Sequence, residues 1–145
     1  MRTIKSTEEL IAWFEENEKL YLYGAGNLCN KTFCILEELD CCIKIVEILV
    51  SSAQENKSEI RGVSVKEYDK NQIQPNIPIL VVVSSGYREI ICNKLLADIE
   101  ESRIVVLSDI MEKQMTELIF DNMLNDLNKY VCSISNNNDE CEKKT

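Results

Sequence analysis

Gly24-Ala25-Gly26-Asn27-Leu28-Cys29 is the segment whose residue types and spacing point most directly to chemistry. It follows the apolar run Leu20-Tyr21-Leu22-Tyr23 and opens a stretch of helical periodicity. In that context a G-x-G-x-x-G turn binds the phosphates of a nucleotide. Gly24 permits a tight turn, and Gly26 lets the backbone approach a pyrophosphate with no Cβ in the way. The N–H groups of Gly26, Asn27 and Leu28 would face the anion, helped by the helix dipole. Cys29 stands where the pattern has its third glycine. That position serves helix–strand packing, so a small residue suits it. The plainer reading is a strand–helix turn with no ligand.

A second edge for such a cleft is Ser84-Ser85-Gly86, after the apolar run Ile79–Val83. Either serine could hydrogen-bond a ligand, and either could simply cap a helix. A nicotinamide dinucleotide site also wants an acidic residue at the tip of the second strand. Here the strand ends at Val50-Ser51-Ser52, with Glu47 placed inside it. Ser51 is the residue at the tip. Lys57 and Arg61 follow, as solvated charges or as partners for a phosphate. The expected site is Gly24, Ala25, Gly26, Asn27, Leu28, Ser51, Ser84, Ser85 and Gly86.

Catalytic options are few. The chain has no histidine, which removes imidazole bases, Ser-His-Asp triads and His-ligated zinc. A tyrosine–lysine pair at Y-x-x-x-K spacing is missing at Tyr68 and Tyr87, which have Gln72 and Ile91 four residues on. No catalytic residue is assigned, and whether the chain is an enzyme stays open. The seven cysteines include no C-x-x-C pair. They read as reduced, buried thiols in a cytoplasmic protein, since Met1-Arg2-Thr3-Ile4-Lys5 is no apolar leader. No metal site is expected.

The formal net charge is −9 over 145 residues. An acidic chain repels phosphate backbones and anionic lipid, so nucleic acid is not an expected partner. No apolar run reaches the roughly 20 residues of a membrane span, so no membrane insertion is expected. A small phosphorylated ligand remains compatible, because backbone amides rather than a basic patch would hold it.

These segments need elements to position them. Ser6-Thr7-Glu8-Glu9 has the capping-box pattern for a helix near 7–17. Strands follow at 19–23 and 43–50, with a helix from Asn27 to about Leu39 between them. Residues 51–61 read as loop, 62–65 as a short strand or turn, and 66–70 as a brief helix. Ile79–Val83 reads as a central parallel strand covered on both faces. A helix to about 100, a strand at 104–107 and a final helix at about 109–131 complete a single domain over 1–131. Residues 132–145 read as a polar, disordered tail. The alternation implies an α/β, three-layer Rossmann-like fold. Its open, mostly parallel sheet has the order 3-2-1-4-5 and helices on both faces. On the last helix Met111, Met115, Leu118, Ile119, Met123, Leu124 and Leu127 form an apolar face. It suits docking on the sheet, or a homodimer.

The segments Tyr21–Gly26, Arg61–Val65 and Ile79–Ser85 together resemble the Rossmann-like domain attached to bacterial surface-polysaccharide enzymes. Sugar acetyltransferases, glycosyltransferases and nucleotide-sugar dehydratases carry such domains. The resemblance covers roughly residues 1–110. It implies that Gly24, Gly26 and Asn27, with Ser84 and Ser85, cradle the phosphates of a nucleotide or nucleotide-sugar; the glycine turn itself is also compatible with NAD(P). The family often has acidic residues after its second strand, where this chain has Ser51 and Ser52. These 145 residues include neither the β-helix domain nor the catalytic histidine of the acetyltransferases, so they read as the binding domain alone, either a stand-alone protein or a fragment of a longer enzyme. A binding domain without its own catalytic residues is the reading that follows. The alternatives are an interaction domain with a vestigial turn and an NAD(P)-binding oxidoreductase-like protein.

Overall fold

The computed structural model describes the backbone of residues 1–143 and the side chains of residues 1–132 apart from residue 55. Its elements run β1 (Arg2–Ile4), α1 (Thr7–Glu16), β2 (Lys19–Tyr23), α2 (Asn27–Glu38), β3 (Lys44–Val50), β4 (Glu59–Ile60), β5 (Val63–Glu67), β6 (Ile79–Val81), α3 (Ser85–Leu96), β7 (Ile104–Leu107) and α4 (Met111–Lys143). They form one seven-stranded sheet, ordered β1-β7-β6-β2-β3-β5-β4. All pairings are parallel except β4 with β5. The inner strands β5-β3-β2-β6-β7 reproduce the expected 3-2-1-4-5 order. The fold is Rossmann-like.

β2 occupies the centre because both of its faces are apolar. Leu20 and Leu22 pack on one side of the sheet, and Tyr21 and Tyr23 on the other. A strand buried on both faces is the signature of a covered parallel sheet. α1, α2 and α4 cover the leucine side through Leu10, Phe14, Phe33, Leu36, Met111 and Met115. α3 covers the tyrosine side through Ile91, Cys92 and Leu95. The rest of that side is closed by the β5–β6 connection, which contributes Tyr68, Ile73 and Ile77. Arg103 fastens this connection by bonding the carbonyls of Ile77 and Gln74. The layers are therefore unequal.

Four local expectations need correction. β1 was not anticipated, because only Ile4 of its three residues is buried and one residue gives no alternation. The stretch read as loop contains β4, which pairs with β5 through the turn Arg61-Gly62, both at positive φ (49° and 82°). Such a turn matches the twist of a hairpin. β5 runs on to Glu67, and the brief helix is a 3-10 turn at Lys70–Gln72. The last helix does not stop near Val131; helical backbone continues to Lys143. No glycine or proline interrupts that stretch. The side chains of the expected tail from Ser133 onward lie outside the described residues, as do Lys144 and Thr145. Among the described residues, no helix is long and apolar enough to cross a membrane.

Candidate functional site

The ladder that centres β2 also delivers its carboxyl end to the glycine turn. Tyr23 lies opposite Leu49 on one side and Val81 on the other. The Gly24 N–H donates to Leu49 O at 2.9 Å, and the Val82 N–H to Tyr23 O at 2.9 Å. Gly24 sits at φ +121°, and a Cβ there would lie 2.7 Å from Val82 O and 2.8 Å from Val83 Cγ1. Gly24 is thus the residue that lets β6 close against the end of β2. Its role is packing.

Gly26 differs. It is the N-cap of α2, offers no side-chain bond to the helix, and a Cβ there would meet nothing within 4 Å. α1, by contrast, is capped by Ser6, whose Oγ accepts from the Glu9 N–H at 3.1 Å. The first turn of α2 carries no acidic residue. Its amide groups and the positive end of its dipole therefore open on space. β2 feeds α2 toward one edge of the sheet and β6 feeds α3 toward the other. The gap between their carboxyl ends is the topological switch point, where ligands of open α/β sheets bind.

Two recesses meet at this turn. One, of about 270 Å³, is lined by Gly24–Leu28, Val82–Ser84 and Glu112. The other, of about 520 Å³, shares Ala25, Gly26 and Asn27 and is bounded by Asn30, Asn56, Lys57 and Glu59–Arg61. Of the expected site residues, Gly24, Ala25, Gly26, Asn27, Leu28 and Ser84 come together. Ser84 is the N-cap of α3 but makes no side-chain capping bond. Ser51 lines neither recess, and its Oγ is bonded to the Tyr23 hydroxyl at 2.8 Å. Ser85 lines a different recess, with Arg88 and Cys92. Gly86 is exposed.

Several contributors had no sequence signal. Glu112, from the start of α4, places a carboxylate in the smaller recess, paired with Lys31 Nζ at 3.3 Å. Asn30 joins the larger recess from the first turn of α2, Asn56 from the 3-10 turn that follows β3, and Glu59 from β4. Arg61 is held in place there: it pairs with Glu37, its guanidinium lies 5.8 Å from the centroid of the Phe33 ring, and Nη2 is 3.4 Å from Cys34 Sγ. The Glu37 bond raises its pKa further.

The thiols do not supply chemistry at this turn. Cys29 is fully buried, and burial pushes its thiol up to about 11, against the opposing charge of Arg61. It is a neutral apolar filler, which is what the third position of the turn requires. Cys41 and Cys42 line a recess of about 420 Å³ beside Glu18 and Ile43, at the amino ends of β2 and β3. That is the far end of the sheet. Tyr68 donates to Asp98 at 3.0 Å, and burial followed by that bond raises its pKa. Among the described residues no group of cysteines and carboxylates is arranged to hold a metal. The arrangement is suited to binding an anion at backbone amides.

No family model matches the chain, and no curated protein does. A solved structure of RSP, a Rex-family repressor, is similar in fold, with a TM-score of 0.52 at 14% identity. The match covers 83% of this chain and 66% of the repressor, so the chain spans just under two thirds of that protein's length. The likeness is one of fold, a Rossmann-like domain. It does not extend to surface-polysaccharide enzymes.

Proposed function

We propose that the crevice at the glycine turn binds the phosphates of a nucleotide, a nucleotide-sugar or a dinucleotide, and that the domain binds without turning its ligand over. The observation that carries this is the uncapped start of α2. Gly26 faces open space at the switch point, with backbone donors and a helix dipole behind it. The Rossmann-like fold supports the reading, since its phosphate turn lies at this point in the chain. A neighbour that is a repressor also supports binding over catalysis. It gives no support to excluding nucleic acid, which rested on net charge alone. The tie to polysaccharide enzymes rests on sequence resemblance.

A thermal-shift panel of UDP-sugars, CDP-linked compounds, NAD(H) and NADP(H) tests the reading. A ligand at about 100 times its Kd stabilises by ~2.7 kcal/mol. In a chain of 145 residues that is a rise of about 8–10 °C. Stabilisation by linked sugars and not by dinucleotides supports the polysaccharide tie. No shift with any compound at millimolar concentration overturns phosphate binding.

A second reading, self-association through α4, is favoured by the way its apolar face divides. Met111 and Met115 are fully buried, while Phe120, Leu124, Leu127 and Val131 are 59%, 41%, 55% and 51% exposed. These exposed residues recur at the alternating four- and three-residue spacing of a coiled-coil seam. An antiparallel pairing about a two-fold axis sets Leu124 on Leu127 and Phe120 on Val131, and brings Asp121 toward Lys129. A second copy of this helix is therefore the occupant we assign. Light scattering on the full chain is expected to give a dimer that Leu124→Glu with Leu127→Glu converts to monomer. A monomeric parent at high concentration overturns this reading.

A further inference from the structure

The larger recess beside the glycine turn carries an inference about ligand class, which rests on the proposed phosphate binding and narrows it. In a dinucleotide site the ribose lies past the tip of the second strand of the motif. A carboxylate there holds an unmodified ribose, and a basic side chain there accommodates one that is phosphorylated. The second strand of the motif here is β3, and Ser51 follows it. Ser51 is hydrogen-bonded to the Tyr23 hydroxyl, and the residues at that tip, Ser51 and Ser52, are serines and not carboxylates. Instead Lys57 and Arg61 line the recess that continues from Gly26. At about 520 Å³ it falls within the ~300–1,000 Å³ of small-molecule sites.

Arg61 is well suited to the task. Its position is fixed by Glu37 and by the Phe33 ring, so little side-chain freedom remains to be lost on binding. Glu37 and Cys34 take one donor each from Nη1 and Nη2, and a guanidinium has five. Donors therefore remain for a phosphate. Lys57 adds a second positive charge. Glu59 lines the same recess, and a ligand phosphate must sit on the Lys57–Arg61 side of it.

We infer that the ligand is a nucleoside diphosphate derivative with an additional phosphate on its ribose, the diphosphate on the glycine turn and the extra phosphate on Lys57 and Arg61. A 2′-phosphate, as in NADP(H), and a 3′-phosphate, as in coenzyme A, share this chemistry. Calorimetry on the full chain with two matched pairs separates them: NADP(H) against NAD(H), and coenzyme A against dephospho-coenzyme A. In each pair the members differ by a single phosphate. In at least one pair, the phosphorylated member is expected to bind about 10-fold tighter or more, as charge-assisted bonds to one phosphate allow. The pair that shows the preference identifies the position of the phosphate. Lys57→Glu, at an exposed position, is expected to reduce that preference to about 2-fold or less while thermal stability stays unchanged. Equal affinity within both pairs overturns the inference and leaves phosphate binding intact. So does a preference that survives Lys57→Glu, or binding of a UDP-sugar with none of the four compounds. Failure of every nucleotide in both panels overturns both readings together.

Discussion

Gly24→Ala is expected to destabilise the fold by about 3 kcal/mol and lower the Tm by about 10 °C. Two separate costs combine. The backbone sits at φ +121°, outside the regions open to an L-residue. Holding a side chain there costs on the order of 1–3 kcal/mol. The new methyl would also lie 2.7 Å from Val82 O and 2.8 Å from Val83 Cγ1. The Val82 carbonyl belongs to backbone pinned by the bond from Val82 N–H to Tyr23 O, and valine has little χ1 freedom to yield. Relief would mean parting β2 from β6 at the centre of the sheet, where Tyr23 and Val81 are fully packed. Urea and thermal unfolding of Gly24→Ala beside the parent measure the loss. A change below about 1 kcal/mol would show that the turn can relax and that Gly24 is not the clasp between these strands.

The elements legible in the sequence are those whose burial is repetitive. Leu20-Tyr21-Leu22-Tyr23 and Ile79-Leu80-Val81 are apolar at every position because helices or loops cover both faces. Their lengths and spacing give the inner sheet order. β1 and β4 leave no pattern, because they are three and two residues long with at most one buried residue. The hairpin turn was further disguised by its residues. Arg61 is not among the types that favour positive φ, yet Gly62 and the Glu37 and Phe33 contacts hold it there.

The site was legible in part, for a related reason. Strand–turn–helix geometry is local, so Gly24 through Leu28 could be placed from the chain alone. Ser51 was placed by counting to a strand tip. Counting does not reveal that a tyrosine hydroxyl from the next strand claims the serine. Glu112 reaches the turn from a helix 81 residues beyond its partner Lys31, and no local pattern encodes that. The α4 face is apolar from Met111 to Val131, but periodicity does not mark where the domain ends beneath it. Packing divides that face after Ile119.

The division of labour between the two glycines leads to the largest expected effect on binding. Gly26→Asp is expected to leave stability unchanged, or raise it by a few tenths of a kcal/mol, while weakening nucleotide binding by about 100-fold or more. Aspartate is a preferred N-cap, and exchanging it with glycine changes helix stability by only a few tenths of a kcal/mol. Nothing lies within 4 Å of a Cβ at this position, so the side chain fits. Once there, its carboxylate would accept from the free amides at the start of α2, the donors assigned to the ligand. It would also set a negative charge against a diphosphate. Two unit charges about 4 Å apart repel by ~4 kcal/mol in a partly exposed protein setting, and solvent at an open crevice reduces that to the ~2.7 kcal/mol of a 100-fold loss. Gly26→Ala separates the two contributions, since it obstructs close approach without adding charge, and an intermediate loss is expected. Calorimetry against the best ligand of the nucleotide panel, paired with thermal unfolding, reads both axes at once. A Gly26→Asp protein that folds normally and binds as tightly as the parent would place the phosphates away from this turn. The uncapped α2 would then be only an unoptimised helix end, at a position where serine or aspartate would have served the fold better.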